Sequence, residues 1–129
     1  MLDTNAVLRF ITGDNKEKCN AVSELLDNAD CIVSIEVLAE TVFNLEKSYN
    51  HPRQLIAEEI KDFISIKQNL VLEENVVHYG CNIYALTKLD FIDCLLVAYA
   101  NVKGKVIFTF DSELKKHLGH NAYSKNISV

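Results

Sequence analysis

Residues 31–40 read CIVSIEVLAE, and this stretch indicates the fold class. It begins with a short apolar run, residues 31–33, that has the length of a buried strand. Ser34 follows as a favoured N-cap for a helix. That helix has an apolar stripe at helical spacing, formed by Ile35, Leu38, Val42, Leu45 and Tyr49. A buried strand that leads directly into an amphipathic helix is typical of α/β folds.

The same alternation of short apolar runs and longer helical patterns continues along the chain. Strands are predicted at residues 1–3, 31–33, 70–72, 105–110 and 126–129. Helices are predicted at residues 4–11, 16–27, 35–49, 52–64, 76–89, 91–100 and 111–118. This order predicts an α/β fold with a mostly parallel sheet.

Length and composition are those of one globular domain. The chain has 129 residues, of which 49% are hydrophobic and 24% charged. No apolar run approaches the length of a membrane-spanning helix, and no signal-peptide pattern opens the chain, so we expect a cytoplasmic protein without a membrane partner. The net charge of −5 counts against a nucleic-acid binder that relies on many phosphate contacts. It does not count against a nuclease that holds its phosphate through a metal ion.

Four acidic side chains lie beside apolar runs, where packing alone explains a carboxylate poorly. Asp3 and Asp111 each follow a predicted strand, Glu40 interrupts an apolar run, and Asp93 lies within the most apolar helix. No Lys or Arg lies within three residues of Glu40 or Asp93 in sequence. Buried carboxylates need a positive partner, and oxygen ligands suit Mg²⁺ or Mn²⁺. We therefore expect a metal-dependent enzyme acting on phosphodiesters, in which repulsion raises the pKa of at least one acid when metal is absent.

Helix capping is the competing interpretation for several of these acids. Asp is a favoured N-cap, and Asp90 with Asp93 three residues later resembles a capping box. For Asp111, capping and ligation stay equally open. For Asp3 we favour ligation, because the two polar residues that follow it could cap the helix equally well. Asp90 is interpreted mainly as the cap of its helix.

Glu36 and Glu40 compete for one role, since they lie four residues apart on the same helix face. We favour Glu40, because its apolar flanks predict a desolvated carboxylate. Ser34 and Thr109 precede acidic positions and are candidates for hydrogen bonds to metal-bound water or phosphate, although Ser34 also has a sufficient role as a cap.

The segments that carry the four acids resemble the motifs of PIN-domain nucleases. LDTNAVLRF at residues 2–10 is similar to the opening of that family, and LAETVFNL at residues 38–45 to its third helix. DFIDCLLVA at residues 90–98 resembles its acidic buried helix, and TFD at residues 109–111 its last acidic strand end. The chain length and the motif sequences are most similar to those of the VapC toxins of bacterial type II toxin–antitoxin pairs.

This resemblance implies a single three-layer domain over residues 1–129, with a central, mostly parallel sheet of about four to five short strands flanked by helices. It implies a Mg²⁺- or Mn²⁺-dependent endoribonuclease, a hydrolase that acts on RNA, forms a homodimer and is controlled by a cognate antitoxin protein. The implied acidic pocket consists of Asp3, Glu40, Asp93 and Asp111, with Asn5 as a supporting polar residue.

One departure from the family pattern concerns the first strand. Only Met1 and Leu2 precede Asp3, where the family usually has several apolar residues, so we expect a short strand and a weakened sheet centre. Two other functions stay open. One is a catalytically silent PIN-fold module that binds a partner protein. The other is a phosphatase of the haloacid dehalogenase type, which would need a second Asp where this chain has Asn5.

Overall fold

The computed structural model describes residues 1–122 and divides the chain into two compact units, Met1–Glu74 and Asn75–Val129. The strand predicted at residues 126–129 lies outside the described residues. Among residues 1–122, none of the helices has the length and apolar character that a membrane span requires.

The first unit is mainly helical. Its elements are, in chain order, α1 (Thr4–Thr12), α2 (Lys16–Asn28), β1 (Cys31–Val33), α3 (Ile35–Lys47), α4 (Arg53–Ile64) and β2 (Asn69–Val71). Capping residues determine where these helices begin and end. Asn15 and Ser34 accept backbone N–H groups at the starts of α2 and α3. Gly13 follows the last residue of α1 as its C-cap, with a φ of 64° that suits glycine. The predicted helices of this unit are confirmed to within a few residues.

The sheet is smaller than the sequence predicted. β1 and β2 pair in parallel with Ile32 opposite Leu70, and together they form a two-stranded sheet, the largest among residues 1–122. The expectation of about four to five strands is therefore wrong for the described part of the chain. Residues 1–3 are not a strand, although the Leu2 amide donates to the Ile32 carbonyl at 3.1 Å. A single hydrogen bond of this kind does not make a ladder.

The second unit contains the remaining helices. α5 (Glu74–Leu86) begins at the boundary and is followed by α6 (Phe91–Lys103), α7 (Ser112–Leu118) and a 3₁₀ turn at Gly119–Asn121. Gly80 on α5 lets α6 approach closely, because a Cβ there would lie 3.1 Å from a methyl group of Leu95. The Tyr84 and Phe91 rings pack edge to face with centroids 5.8 Å apart.

Residues 105–110 read as the clearest strand of the sequence, and this prediction is wrong. They form a single parallel bridge, Ile107 to Ala122, in which the Ile107 amide donates to the Asn121 carbonyl at 2.8 Å. Val106, Phe108 and Phe110 are exposed. An apolar, β-branched and aromatic run supplies strand propensity, but a strand forms only where another backbone satisfies its hydrogen-bonding groups.

A hydrogen-bond network around Asp14 joins the end of α1 to the residues after α3. Arg9 Nη1 and the Tyr49 hydroxyl donate to Asp14 Oδ2 at 2.6 and 2.8 Å. The Thr12 hydroxyl donates to the other carboxylate oxygen at 3.0 Å. The Arg9 bond, followed by the Tyr49 bond, lowers the pKa of Asp14 from 3.8 to about 2. The sequence indicated only a helix break at this position.

We expect Asp14→Asn to destabilise the protein at neutral pH and to lose this effect in acid. Because the folded pKa of Asp14 lies below its unfolded value of 3.8, its charge stabilises the fold above about pH 4. That stabilisation is lost as pH falls through about 2. Urea unfolding of both proteins at about pH 6 and about pH 3 measures the difference in unfolding free energy, which should shrink at the lower pH.

The matched control for this prediction is Asp62→Asn. Asp62 is exposed and has no hydrogen bond or ion pair with any residue in the described part of the chain. Its replacement should change the free energy of unfolding little at either pH. If the difference in unfolding free energy between wild type and Asp14→Asn stays constant with pH, the charge of Asp14 does not stabilise the fold.

Candidate acidic active site

The first unit brings Glu40 to the start of α1, where Asp3 lies. Asp3 caps α1, because its Oδ1 accepts the Ala6 amide at 2.8 Å. Thr4, the next residue, donates its hydroxyl to Glu40 Oε2 at 3.1 Å. This bond holds the Glu40 side chain next to a residue that adjoins Asp3. Two predicted site residues that are far apart in sequence are thus linked through one intervening side chain.

The expected desolvation of Glu40 is wrong, because its side chain is exposed. Successive helix residues point about 100° apart, so the neighbours of a residue in sequence do not report its own burial. Thr41 and Val42 are buried on the inner side of α3 while Glu40 faces solvent. Glu36 is also exposed and has no hydrogen-bond partner among residues 1–122. The Thr4 contact, not burial, distinguishes Glu40 from Glu36.

Two supporting residues of the first unit have defined places. The Ser34 hydroxyl accepts the Val37 amide at 3.2 Å, which confirms its expected role as the cap of α3. Asn5 is exposed on the first turn of α1 and lines the same cavity as Asp3. Roles for Ser34 and Asn5 toward a metal ion or a substrate stay predictions.

The second unit groups the other predicted acids around the starts of α6 and α7. Asp90 caps α6, as expected, through its Oδ1, which accepts the Asp93 amide at 2.9 Å. Asp111 caps α7 by accepting two backbone amides, at 2.9 and 3.0 Å. Thr109 accepts the Asp111 amide at 3.0 Å and so fixes the turn that precedes this cap.

Asp93 is the carboxylate with the most unfavourable surroundings in the second unit. It is partly buried, and burial is the main cause of a pKa raised above the ordinary value. Repulsion from Asp90 and Asp111 raises the pKa of Asp93 further. One acid of the predicted set thus has a raised pKa, as expected, but burial rather than the expected repulsion is the main cause. Asp90 and Asp111 therefore lie close enough to Asp93 to repel its charge.

Capping and ligation are compatible for the three capping acids. Asp3, Asp90 and Asp111 each use Oδ1 for the cap. None has a hydrogen bond to Oδ2 from any residue between 1 and 122. An ionised carboxylate has room for several partners on its two oxygens. The cap therefore orients each carboxylate and leaves one oxygen available for a cation.

The chemistry of these donors fits a hard divalent cation. Within residues 1–122, no three His, Cys, Asp or Glu side chains lie close enough together to form a metal-binding group. A preformed group of three is not required for Mg²⁺, which usually keeps several waters and binds one or two carboxylates together with substrate phosphates. The available Oδ2 atoms and the repulsion at Asp93 both favour a cation beside these carboxylates. Convergence of the acids of both units on one pocket stays a prediction.

A sequence model of the PIN domain family matches residues 1–117. The chain belongs to the PIN domain family. The match includes Asp3, Glu40, Asp93 and Asp111, so all four predicted acids lie inside the PIN domain. PIN domains are generally nucleases that bind nucleic acid and use divalent metals. Comparison with individual proteins and with solved structures gives no significant match.

Two basic residues that line a cavity of the PIN domain were not predicted from the sequence as candidate functional residues. Arg9 and Lys18 line one cavity together with Asp3 and Asn5. The available signal was helical spacing, since Arg9 lies four residues after Asn5 and therefore on the same face of α1. The contribution of α2 to this cavity could not be seen, because it depends on how two helices pack.

We expect Asp90→Asn and Asp111→Asn each to lower the pKa of Asp93, because each removes a repelling charge. Since burial is the larger cause, the pKa should stay above its ordinary value in both variants. Carbon-detected NMR titration of the Asp93 carboxyl, without metal, measures the change.

Glu113→Gln is the matched control, because Glu113 lies on α7 beside Asp111 and pairs with Lys116 at 3.6 Å. It should leave the titration of Asp93 unchanged. Equal shifts in all three variants would show that the whole charge of the protein acts on Asp93, and that no local acidic group exists.

Proposed function

We propose that this PIN domain is a Mg²⁺- or Mn²⁺-dependent endoribonuclease. Asp3, Glu40, Asp93 and Asp111 are its catalytic and metal-binding residues. The observation that carries the proposal is the position of Asp93, a partly buried acid whose pKa is raised by burial and by Asp90 and Asp111. Perturbed carboxylates of this kind occur preferentially at functional sites.

Each acid has a physical role that follows from its contacts. A bound divalent ion supplies an activated water and stabilises charge on the phosphate. Asp3 and Asp111 present an available Oδ2, because their Oδ1 atoms are held by helix N-termini. Glu40 keeps Oε1 without a hydrogen bond to residues 1–122, and this oxygen can accept a proton from an attacking water.

The supporting residues hold these acids in position. Asp90 fixes the first turn of α6, which carries Asp93. Its negative charge repels that of Asp93, which favours a cation between them. Thr109 fixes the backbone of Asp111. Ser34 fixes the start of α3, the helix of Glu40. Asn5 lies beside Asp3 and offers an amide to the substrate or to water.

The cellular role we propose is that of a VapC-type toxin in the cytoplasm, acting as one domain over residues 1–129 and inhibited by an antitoxin. The support is the similarity of four segments to PIN-domain motifs in the family's order, with a chain size and motif sequences most similar to those of VapC toxins. The net charge of −5 also suits a basic antitoxin segment that neutralises the acidic site.

A catalytically silent PIN module that binds a partner protein is the second candidate. It is favoured by the missing first strand, since residues 1–3, which include Asp3, form no strand and make one backbone hydrogen bond to β1. The phosphatase alternative has no comparable support, since Asn5 replaces the Asp that such an enzyme needs and the chain belongs to the PIN family.

We expect the wild type to cleave single-stranded RNA with Mn²⁺ and not with EDTA. Glu40→Gln should reduce the rate by about 100-fold or more, the usual scale for loss of a general acid or base. Glu36→Gln is the matched control on the same helix and should keep most of the activity. Product bands on a denaturing gel measure both rates.

Three results would contradict this assignment in different ways. Absence of metal-dependent cleavage in wild type would favour the silent module. Equal losses in Glu36→Gln and Glu40→Gln would remove the special role of Glu40. Loss only in Glu36→Gln would mean that the other residue on this helix face acts in catalysis.

We also expect a homodimer, as the similarity to VapC toxins implies. Light scattering at micromolar concentration should give twice the mass of one chain. A single-chain mass under these conditions would remove the dimer from the proposal and leave the nuclease assignment unaffected.

A further inference from the structure

A cavity of about 270 Å³ lies between α1 and α2, with Asp3 at its lining. The side of α1 contributes Asn5 and Arg9, which are four residues apart and share one face. The side of α2 contributes Lys18, Ala21 and Val22, whose spacing also places them on one face. The cavity thus has a mostly apolar lining, with basic and polar groups from the two packed helices around it.

Arg9, which lines this cavity, has a hydrogen-bond donor without a partner among residues 1–122. Its Nη1 is bound to Asp14, but its Nε is buried and has no partner among residues 1–122. A buried donor without an acceptor is unfavourable, so a bound acceptor that Nε reaches when the Arg9 side chain turns toward the cavity would be favoured. A phosphate oxygen is a strong acceptor for guanidinium groups.

Lys18 provides the free positive charge of the cavity. It is exposed, and its ammonium has no ion-pair partner in the described part of the chain. The neighbouring Lys16 on α2 is also exposed but does not line the cavity. A basic side chain that faces a concave site without an acidic partner is suited to an anion.

We propose that this α1–α2 cavity binds a backbone phosphate of single-stranded RNA, next to the phosphate that is cleaved. The inference rests on the proposed nuclease function and extends it to a substrate contact. Because Asp3 lines the same cavity, one RNA strand can contact both the basic residues of the cavity and the Asp3 carboxylate. Ala21 and Val22 give the adjoining ribose an apolar surface, and Asn5 offers amide hydrogen bonds.

The test is the affinity of a 5′-fluorescein-labelled, mixed-sequence RNA oligonucleotide for Lys18→Glu and Lys16→Glu, measured by fluorescence anisotropy in EDTA to prevent cleavage. The two variants change net charge equally. A Glu at the third helical position is compatible with the start of a helix, so Lys18→Glu should fold. We expect binding at least about tenfold weaker for Lys18→Glu and less than about twofold weaker for Lys16→Glu.

The salt dependence gives a second readout. Loss of one phosphate contact should reduce the slope of log affinity against log salt by about 0.7, the value for single strands. Ala21→Glu places a carboxylate on the same cavity wall without removing a lysine, and it should weaken binding as well. Ala21→Gln is its neutral control and should bind more tightly than Ala21→Glu.

Equal weakening by Lys18→Glu and Lys16→Glu would overturn the inference, because only net charge would then matter. Unchanged affinity in Lys18→Glu would overturn it too. Cleavage in Mn²⁺ separates this failure from failure of the proposed function. If wild type cleaves RNA and Lys18→Glu raises KM no more than Lys16→Glu does, the cavity inference fails alone. If wild type binds RNA but does not cleave it, the nuclease proposal fails.

Discussion

The unsatisfied amides at helix N-termini are the constraint on which the acidic positions of this protein depend. The first turn of each helix has N–H groups without intrahelical partners. Asp3, Asp90 and Asp111 satisfy these groups in α1, α6 and α7. An N-cap of this kind contributes about 1 kcal/mol. The same hydrogen bonds fix the direction of each carboxylate, so a requirement of folding also positions the oxygens that we propose for chemistry.

Asp93 shows the opposite relation between folding and function. Its raised pKa means that the folded protein holds this proton more tightly than the unfolded chain does. Folding stability from this group therefore falls as pH rises through that range, and the ionised form at neutral pH opposes folding. The apolar side of α6, with Cys94, Val97 and Ala98 buried, offsets this cost. A cation beside Asp93 would stabilise its ionised form, so that the charge would no longer oppose folding at neutral pH. This is the physical reason for proposing a metal ion at Asp93.

Features that depend on residues close together in sequence could be predicted, and features that depend on residues far apart in sequence could not. Helices followed from local periodicity and caps such as Ser34, and these predictions are confirmed. Two predictions were wrong, the strand at residues 105–110 and the burial of Glu40. A strand depends on a pairing partner elsewhere in the chain, and burial depends on the direction in which a side chain points, and neither can be read from the adjacent residues. The Thr4–Glu40 and Tyr49–Asp14 bonds join residues 36 and 35 positions apart, so no local pattern could predict them.

The acidity of the chain is compatible with the proposed RNA substrate when cations neutralise the four proposed site acids. The 18 acidic and 13 basic residues give a net charge of −5. Without Asp3, Glu40, Asp93 and Asp111, 14 acidic residues face 13 basic ones, which leaves a net charge of −1. At physiological salt, exposed charges act over about 8 Å, so distant acids oppose a bound strand weakly. Cations that neutralise the four proposed site acids would therefore remove most of the repulsion, and a few local basic groups such as Lys18 would suffice to hold the proposed strand.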